Sequence, residues 1–232
     1  YKIPGYSLRN NIEIDDYYKG KIRASERKIQ SKESLSVAAP KTAEVEHIHQ
    51  LYLKSKIMQQ SQSSKLLLKN NEKYMSQTIV ISTEIMHPQN RNAHGKIFGG
   101  EIMRKAFELG YITAVSFLGE RNTQFVAVDD INFLKPVNIG SIIMFNGMVT
   151  YSSPETNLVI VEVTVEQSEP GTMIKEQTNT LTYVFKKIAT NNGNGNDTTI
   201  PTVVPMHYGE FISYLEGQRT HEEIKNDYIN KK

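Results

Sequence analysis

Neither cysteine nor tryptophan occurs among the 232 residues. Without cysteine the chain can form no disulfide scaffold, no thiolate metal site and no cysteine nucleophile. It also lacks any apolar run close to the roughly 20 residues that a membrane-spanning helix requires, so no membrane insertion is expected. Apolar residues make up only 38% of the chain, and part of it is therefore expected not to pack. The length accommodates one ordinary domain with extensions, or two small domains.

The formal charge is only +2, but it is unevenly spread. Tyr1 to Gln77 holds 14 lysines and arginines against 8 acidic residues, whereas Thr78 to Lys232 holds 13 against 17. In the basic first third, Arg23 to Ser36 is mostly charge and serine, and Ser55 to Lys73 is rich in Gln, Ser, Lys and Asn. Such a composition cannot bury enough surface to fold alone, so residues 1–77 read as a largely irregular basic linker. One helix is expected within it, near residues 42–54. There Pro40 and Thr42 precede Glu44, Glu46, Ile48, Leu51, Tyr52 and Leu53, the pattern of a capped start, an acidic first turn and an apolar stripe. The interleaved aromatics and arginines of a nucleic-acid-binding arm are missing, and no nucleic-acid partner is expected. His47 and His49 lie two residues apart on that helix, where side chains diverge, so they do not read as metal ligands. No metal and no cofactor is expected.

A fold emerges from Thr78 onward. Thr78 to Met86 alternates as a strand, with Ile79, Ile81, Thr83 and Ile85 on one face. A loop from His87 to Gly95 leads to Phe98-Gly99-Gly100. Beyond it Ile102, Met103, Ala106, Phe107, Leu109, Gly110, Ala114, Phe117 and Leu118 cover more than one stripe, so this helix must be wrapped by other structure. Four strands follow: Thr123 to Phe133, Ser141 to Tyr151, Asn157 to Gln167 and Met173 to Lys187. In the third, Val159, Val161, Val163 and Val165 alternate with Glu162, Thr164 and Glu166. The order of strand, buried helix and four meandering strands predicts an α+β fold, an antiparallel sheet curled around one long helix.

The run His87-Pro88-Gln89, Asn92, Gly95 to Gly100 and Met103 to Leu109 resembles acyl-CoA thioesterases of the hotdog fold. It is most similar to mitochondrial thioesterases that carry two hotdog domains per chain. Val126 to Ile131, Phe133, Lys135-Pro136-Val137, Gly140-Ser141 and the tail motifs Tyr208-Gly209-Glu210 and Gly217-Gln218-Arg219 extend the resemblance. It implies a hotdog domain over residues 78–188, preceded by the linker between two such domains and followed, over 189–232, by a low-complexity loop and a docking tail. In that tail Phe211, Ile212, Tyr214 and Leu215 predict a packed helix. A chain beginning at Tyr1 is then expected to be the second half of a two-hotdog enzyme. The implied location is mitochondrial, with a cytoplasmic one as the alternative.

The implied reaction is hydrolysis of acyl-CoA to fatty acid and CoA. A helix start at Gly99-Gly100 presents unpaired N–H groups that a substrate oxygen can approach, an oxyanion hole. The competing reading of the two glycines is a tight strand-to-helix connection. Asn92 and His94, in the loop before the helix, are candidates to orient water or the thioester, or else only shape the loop. The catalytic carboxylate is harder to place. Where related enzymes carry an Asp or Asn just before the Phe-Gly-Gly step, Lys96 stands here. Glu108 falls one residue beyond the usual place of a helix acid, a rotation of roughly 100°. Asp129 and Asp130 interrupt an apolar strand and are the remaining candidates. For CoA, Phe98 is expected to line the substrate channel, and Arg91, Lys96, Arg104, Lys105 and Lys135 to meet its phosphates. Hotdog thioesterases share each site between two units, so a second hotdog unit is expected as partner and as source of the missing acid. The rival expectation is an inactive hotdog that binds acyl-CoA or pairs with another subunit. A hotdog hydratase would want a firm His and Asp pair, for which only His94 stands near the helix.

Overall fold

Helix-forming side chains dominate the basic first third. The computed structural model describes residues 10–33, 35, 38–60, 71–172, 174–188 and 199–230, and the chain divides into two units, Tyr1–Val45 and Glu46–Lys232. In the first, helix α1 (Asn11–Glu33) begins where Asn10 Oδ1 accepts the Glu13 N–H at 2.8 Å, an N-cap. Asp15 and Lys19 pair one turn apart on its surface. Helix α2 (Thr42–Gln60) starts at the expected residue, where Glu44 Oε2 accepts the Lys41 N–H at 2.7 Å, and runs on past residue 54. The extension is thus more helical than its composition led us to expect. Scarce apolar surface precludes a packed core, but Lys, Arg, Glu, Gln and Ala still propagate a local helix.

The second unit is built on strands β1 (Glu72–Tyr74), β2 (Val80–Ile85), β3 (Thr123–Phe133), β4 (Ile142–Ser153), β5 (Leu158–Ser168), β6 (Glu176–Lys187) and β7 (Thr202–Val204). Helix α3 (Gly99–Leu118) and helix α4 (Tyr208–Asn230) complete it. Five strands form one antiparallel sheet in the order β2-β4-β5-β6-β3. The hotdog expectation holds in this pattern, with one difference from a plain meander. Strand β3 does not neighbour β4; it crosses to the far edge and pairs with β6, with irregularities at Phe125/Ala127 and Asp129/Ile131.

Ile102, Ala106, Leu109, Ala114 and Phe117 of α3 are buried against the valine face of β5 and against Phe145, Val149, Leu181 and Phe185 of its neighbours. The helix stops at Gly119, whose φ of 73° lies in the left-handed region that favours glycine. Two placements depart from simple alternation. The β2 face carrying Ile81 and Ile85 is exposed, whereas Val80, Ser82 and Glu84 are half-buried, and Glu84 pairs with Lys105 of α3. The core also reaches beyond residues 78–188: Met75, Ile200 and Val203 belong to it, and β1 pairs in parallel with β7. Asn71 Nδ2 fixes that junction by donating to the carbonyls of Thr199 and Ile200. The stretch 189–198, most of the expected low-complexity loop, lies outside the described residues.

The sheet's other face is partly covered by α4. Phe211 and Leu215 are buried, Tyr214 meets Tyr151 edge-on at 5.2 Å, and Ile224 joins Leu158, Ile160 and Val184.

Candidate active site

The loop between β2 and α3 is folded by its own polar groups. Pro88–Asn90 makes a single 3₁₀ turn, and the Asn92 N–H donates to Lys96 O at 2.6 Å. Asn92 Oδ1 accepts the N–H groups of His94 (2.9 Å) and Lys96 (3.1 Å). Phe98 N donates to Asn90 O, and Ile97 N to Val137 O, which presses the loop onto the β3–β4 connection. Asn92 therefore uses its carbonyl oxygen for loop architecture, and its Nδ2 is the atom left to act as a donor. His94 sits exposed at the loop tip.

This loop delivers the start of α3 without a side-chain cap on Phe98. The Glu101 N–H bonds Phe98 O at 2.9 Å, while the N–H groups of Gly99 and Gly100 precede the intrahelical ladder. Neither glycine has a positive φ, so backbone conformation does not require glycine at either position. Space does. A Cβ on Gly100 would lie 2.5 Å from the Phe98 ring, and one on Gly99 3.1 Å from the Phe133 ring. Phe98 and Phe133 are 60% and 54% exposed, and Leu134 beside them is exposed too. The N–H groups of a helix start carry partial positive charge, and beside the exposed rings of Phe98 and Phe133 they can stabilise negative charge developing on a carbonyl oxygen.

The structure brings Phe98, Gly99, Gly100, Asn92 and Lys96 together in this loop and helix start, and sets the end of β3 beside it through Phe133. Other candidates are placed elsewhere or otherwise engaged. Lys96 Nζ donates to Asn138 Oδ1 at 2.6 Å; Asn138 in turn donates to Glu169, which also accepts from Ser141. Glu108 is exposed on α3 and bound by Arg104 at 2.7 Å, so the rotation anticipated from its register turns it away from the core. Phe107, the residue before it, packs edge-on against Phe125 and Tyr183. Lys135 pairs with Glu176 at 3.2 Å. Asp129 and Asp130 lie on β3 at its second irregularity, with Asp129 opposite Thr182; their side chains are outside the described residues. Arg91 is exposed in the loop, its backbone bridged to Ile97.

Sequence reasoning passed over Glu101 and Phe133. Glu101 is the acid nearest the two glycines. It accepts from Arg104 (2.8 Å) and from Asn90 Nδ2 at 3.4 Å, and it forms an ion pair with Lys105 at 3.6 Å. The hydrogen bond and charge of Arg104, helped by Lys105, hold its carboxyl below the usual range. An acidic residue in the first turn was the available signal. Phe133 figured only as part of the family resemblance, because its contact with Gly99 depends on the strand order.

Among known families, the Thioesterase superfamily matches residues 94–174. The chain is 33% identical over 226 residues to the mitochondrial acyl-coenzyme A thioesterase 9 of Mus musculus, covering 97% of this chain and 49% of that protein. It is 30% identical over 128 residues to an uncharacterized acyl-CoA thioester hydrolase of Haemophilus influenzae, covering 54% of this chain and 80% of the relative. An acyl-CoA hydrolase from Staphylococcus aureus, solved with butyryl coenzyme A, coenzyme A and coenzyme A disulfide, superposes with a TM-score of 0.60 at 24% identity. That match covers 69% of this chain and 94% of the other. The chain spans about half the length of the mitochondrial relatives it matches.

Proposed function

Because the chain belongs to the acyl-CoA thioesterases of the thioesterase superfamily, we propose that it takes part in hydrolysis of acyl-CoA thioesters to fatty acid and free CoA. The observation that carries the reading is the start of α3 without a side-chain cap, where the space beside Gly99 and Gly100 is bounded by the Phe133 and Phe98 rings. There the thioester carbonyl accepts hydrogen bonds while water adds to its carbon. The C–S bond then breaks, the thiolate takes up a proton, and the acyl group leaves as the carboxylic acid. Asn92, through Nδ2, orients the water or the thioester in this reading.

Among the described side chains, the acids of the α3 start are bound to cations, while those of Asp129 and Asp130 lie outside the described residues. Glu108 is bound by Arg104 and turned outward, Lys96 stands in the loop, and Phe107 is built into an aromatic cluster. A carboxylate from a second hotdog unit facing the α3 start completes the site in this reading. A rival reading is a hotdog that binds acyl-CoA or pairs with another subunit without hydrolysing; the engagement of Lys96 with Asn138 favours it. The names of the relatives support a mitochondrial location, which imaging of the tagged natural protein would test.

Release of free thiol from acyl-CoA of several chain lengths distinguishes the readings. Wild-type release that is lost in Asn92→Ala and Gly100→Pro supports hydrolysis at this site. Tight binding without release, with or without an added hotdog partner, overturns it in favour of the inactive domain. Full activity from a homodimer of this chain would refute the need for a different facing unit.

A further inference from the structure

The two rings beside the helix start are unusual in their placement. Phe98 and Phe133 come from different elements, are each more than half exposed, and each occupies the volume that a Cβ on Gly100 or Gly99 would need. Large exposed aromatics that contribute little to a core mark contact with something outside the unit. The contacted group can be narrowed by charge. The cations on the first turns of α3 are paired with acids, Arg104 with Glu101 and Glu108, and Lys105 with Glu84 and Glu101. With those cations paired, the surroundings of the rings are apolar side chains and the backbone of a helix start, which suit an uncharged carbonyl flanked by methylene groups better than a phosphate.

Resting on the hydrolytic reading of the same site, we propose that Phe133 is a specificity-determining residue. Its ring, opposite that of Phe98, forms the second wall of a slot that holds the acyl thioester over the Gly99 and Gly100 amides. Phe133 lies at the end of edge strand β3, so a unit docking on that edge would close the slot from the side. The contact with Gly99 also makes a specific coupling. A methyl group at position 99 must shift the ring by a few tenths of an ångström, and once the ring is removed the methyl group has nothing to push.

The test is a double-mutant cycle on the full chain with Gly99→Ala, Phe133→Ala and the pair, plus Phe133→Leu. The readouts are calorimetric binding of a non-hydrolysable acyl-thioether analogue of acyl-CoA, binding of free CoA, and thiol release; thermal melts confirm folding. Phe133→Ala should weaken analogue binding about tenfold or more while free CoA binding stays within about twofold, and Phe133→Leu should recover most of the loss. Gly99→Ala should be costly alone and nearly silent in the Phe133→Ala background. Folded variants with unchanged analogue binding, or with strictly additive effects, overturn the proposal. Wild type that binds the analogue and shows the coupling but releases no thiol defeats the hydrolytic reading and leaves the slot standing. Wild type that releases thiol equally well with Phe133→Ala defeats the slot alone. Wild type that neither binds nor releases defeats both.

Discussion

Replacing Gly100 and Gly147 separately by alanine should split stability from activity. At both positions an added Cβ would lie 2.5 Å from a side-chain atom, Phe98 Cε1 in one case and Thr113 Oγ1 in the other. The neighbours differ in what they can do about it. Phe98 is largely exposed, and its ring can swing into solvent at little loss. In exchange, alanine at a position with helical φ gains up to about 1 kcal/mol over glycine. Gly100→Ala should therefore leave stability within about 1 kcal/mol of the parent. Thr113 is fully buried and bonded to Leu109 O at 2.8 Å, so Gly147→Ala must separate α3 from β4. Overpacking of this kind costs about 1–3 kcal/mol, or several degrees in Tm at this chain length. Activity should run the other way. A displaced Phe98 ring and a new methyl group obstruct the amide pair, and losing one oxyanion donor typically lowers kcat by about 10²–10³. Thiol release by Gly100→Ala should fall at least about tenfold, while folded Gly147→Ala should stay near the parent rate. Thermal melts and rates on the same preparations check this. If Gly100→Ala keeps full activity, or loses activity only in step with a lowered Tm, then the glycines serve the connection and not the chemistry.

Two groups where α4 meets the sheet and its β4–β5 hairpin should titrate in opposite senses. Burial lowers the proton affinity of His221 below its usual value, and its Nε2 is bonded to Thr156 Oγ1 at 2.9 Å. The unfolded chain therefore binds more protons here as pH falls through about 6.5, and stability should drop below that pH. Urea unfolding at pH 8 and 5.5 should show a fall that His221→Gln reduces; an unchanged fall in the variant would count against it. Glu162 is pushed up to about 7 by burial and then by Glu216 of α4. The folded state thus holds the extra proton, and stability is lost as pH rises from 4.5 through 7, so Glu162→Gln should stabilise by at most about 3 kcal/mol at pH 8 and by little at pH 4.5. An equal effect at both pH values would mean that the gain is not electrostatic. Finally, Arg91 is exposed in the site loop while Arg104 is held by two acids; Arg91→Glu should raise KM for acyl-CoA and flatten its salt dependence, and Arg104→Gln should do neither. Equal effects of the two would show that pairing does not decide which cation meets CoA.

The elements that set the fold were written locally. Four alternating valines marked β5, and a helix apolar on most faces had to be α3, because each signal depends only on near neighbours. What was illegible depends on strand order or on very short segments. Nothing in Thr123 to Phe133 says that this strand leaves its sequence neighbour and pairs with β6, yet that crossing is what sets Phe133 against Gly99. The alternation of β2 placed its isoleucines on one face without saying which, and that face lies outward while Glu84 of the other meets Lys105 of the helix. Strands β1 and β7 are too short for any periodicity to show. In the site, Asn92 was legible as a loop residue and Gly99-Gly100 as a helix start, while the choice between steric and conformational need for glycine required the rings to be seen.

The electrostatics of the first helical turn bear on the missing base. A carboxylate beside an oxyanion hole would oppose the negative charge that develops there, and Glu101 stands one residue after Gly100. Arg104 and Lys105 answer part of that problem from the same helix: both pair with Glu101, although Arg104 also pairs with Glu108 and Lys105 with Glu84. The positive side chains beside Glu101 offset its charge locally, next to the partial positive charge of the helix end. The same pairing disqualifies Glu101 as a base, since a carboxyl held below its usual range takes up a proton poorly. An acid able to accept a proton from water must sit away from these cations, in less polar surroundings that raise its affinity. In the reading proposed above, the exposed apolar surface of Phe98, Phe133 and Leu134 offers such surroundings to a carboxylate brought by a second unit.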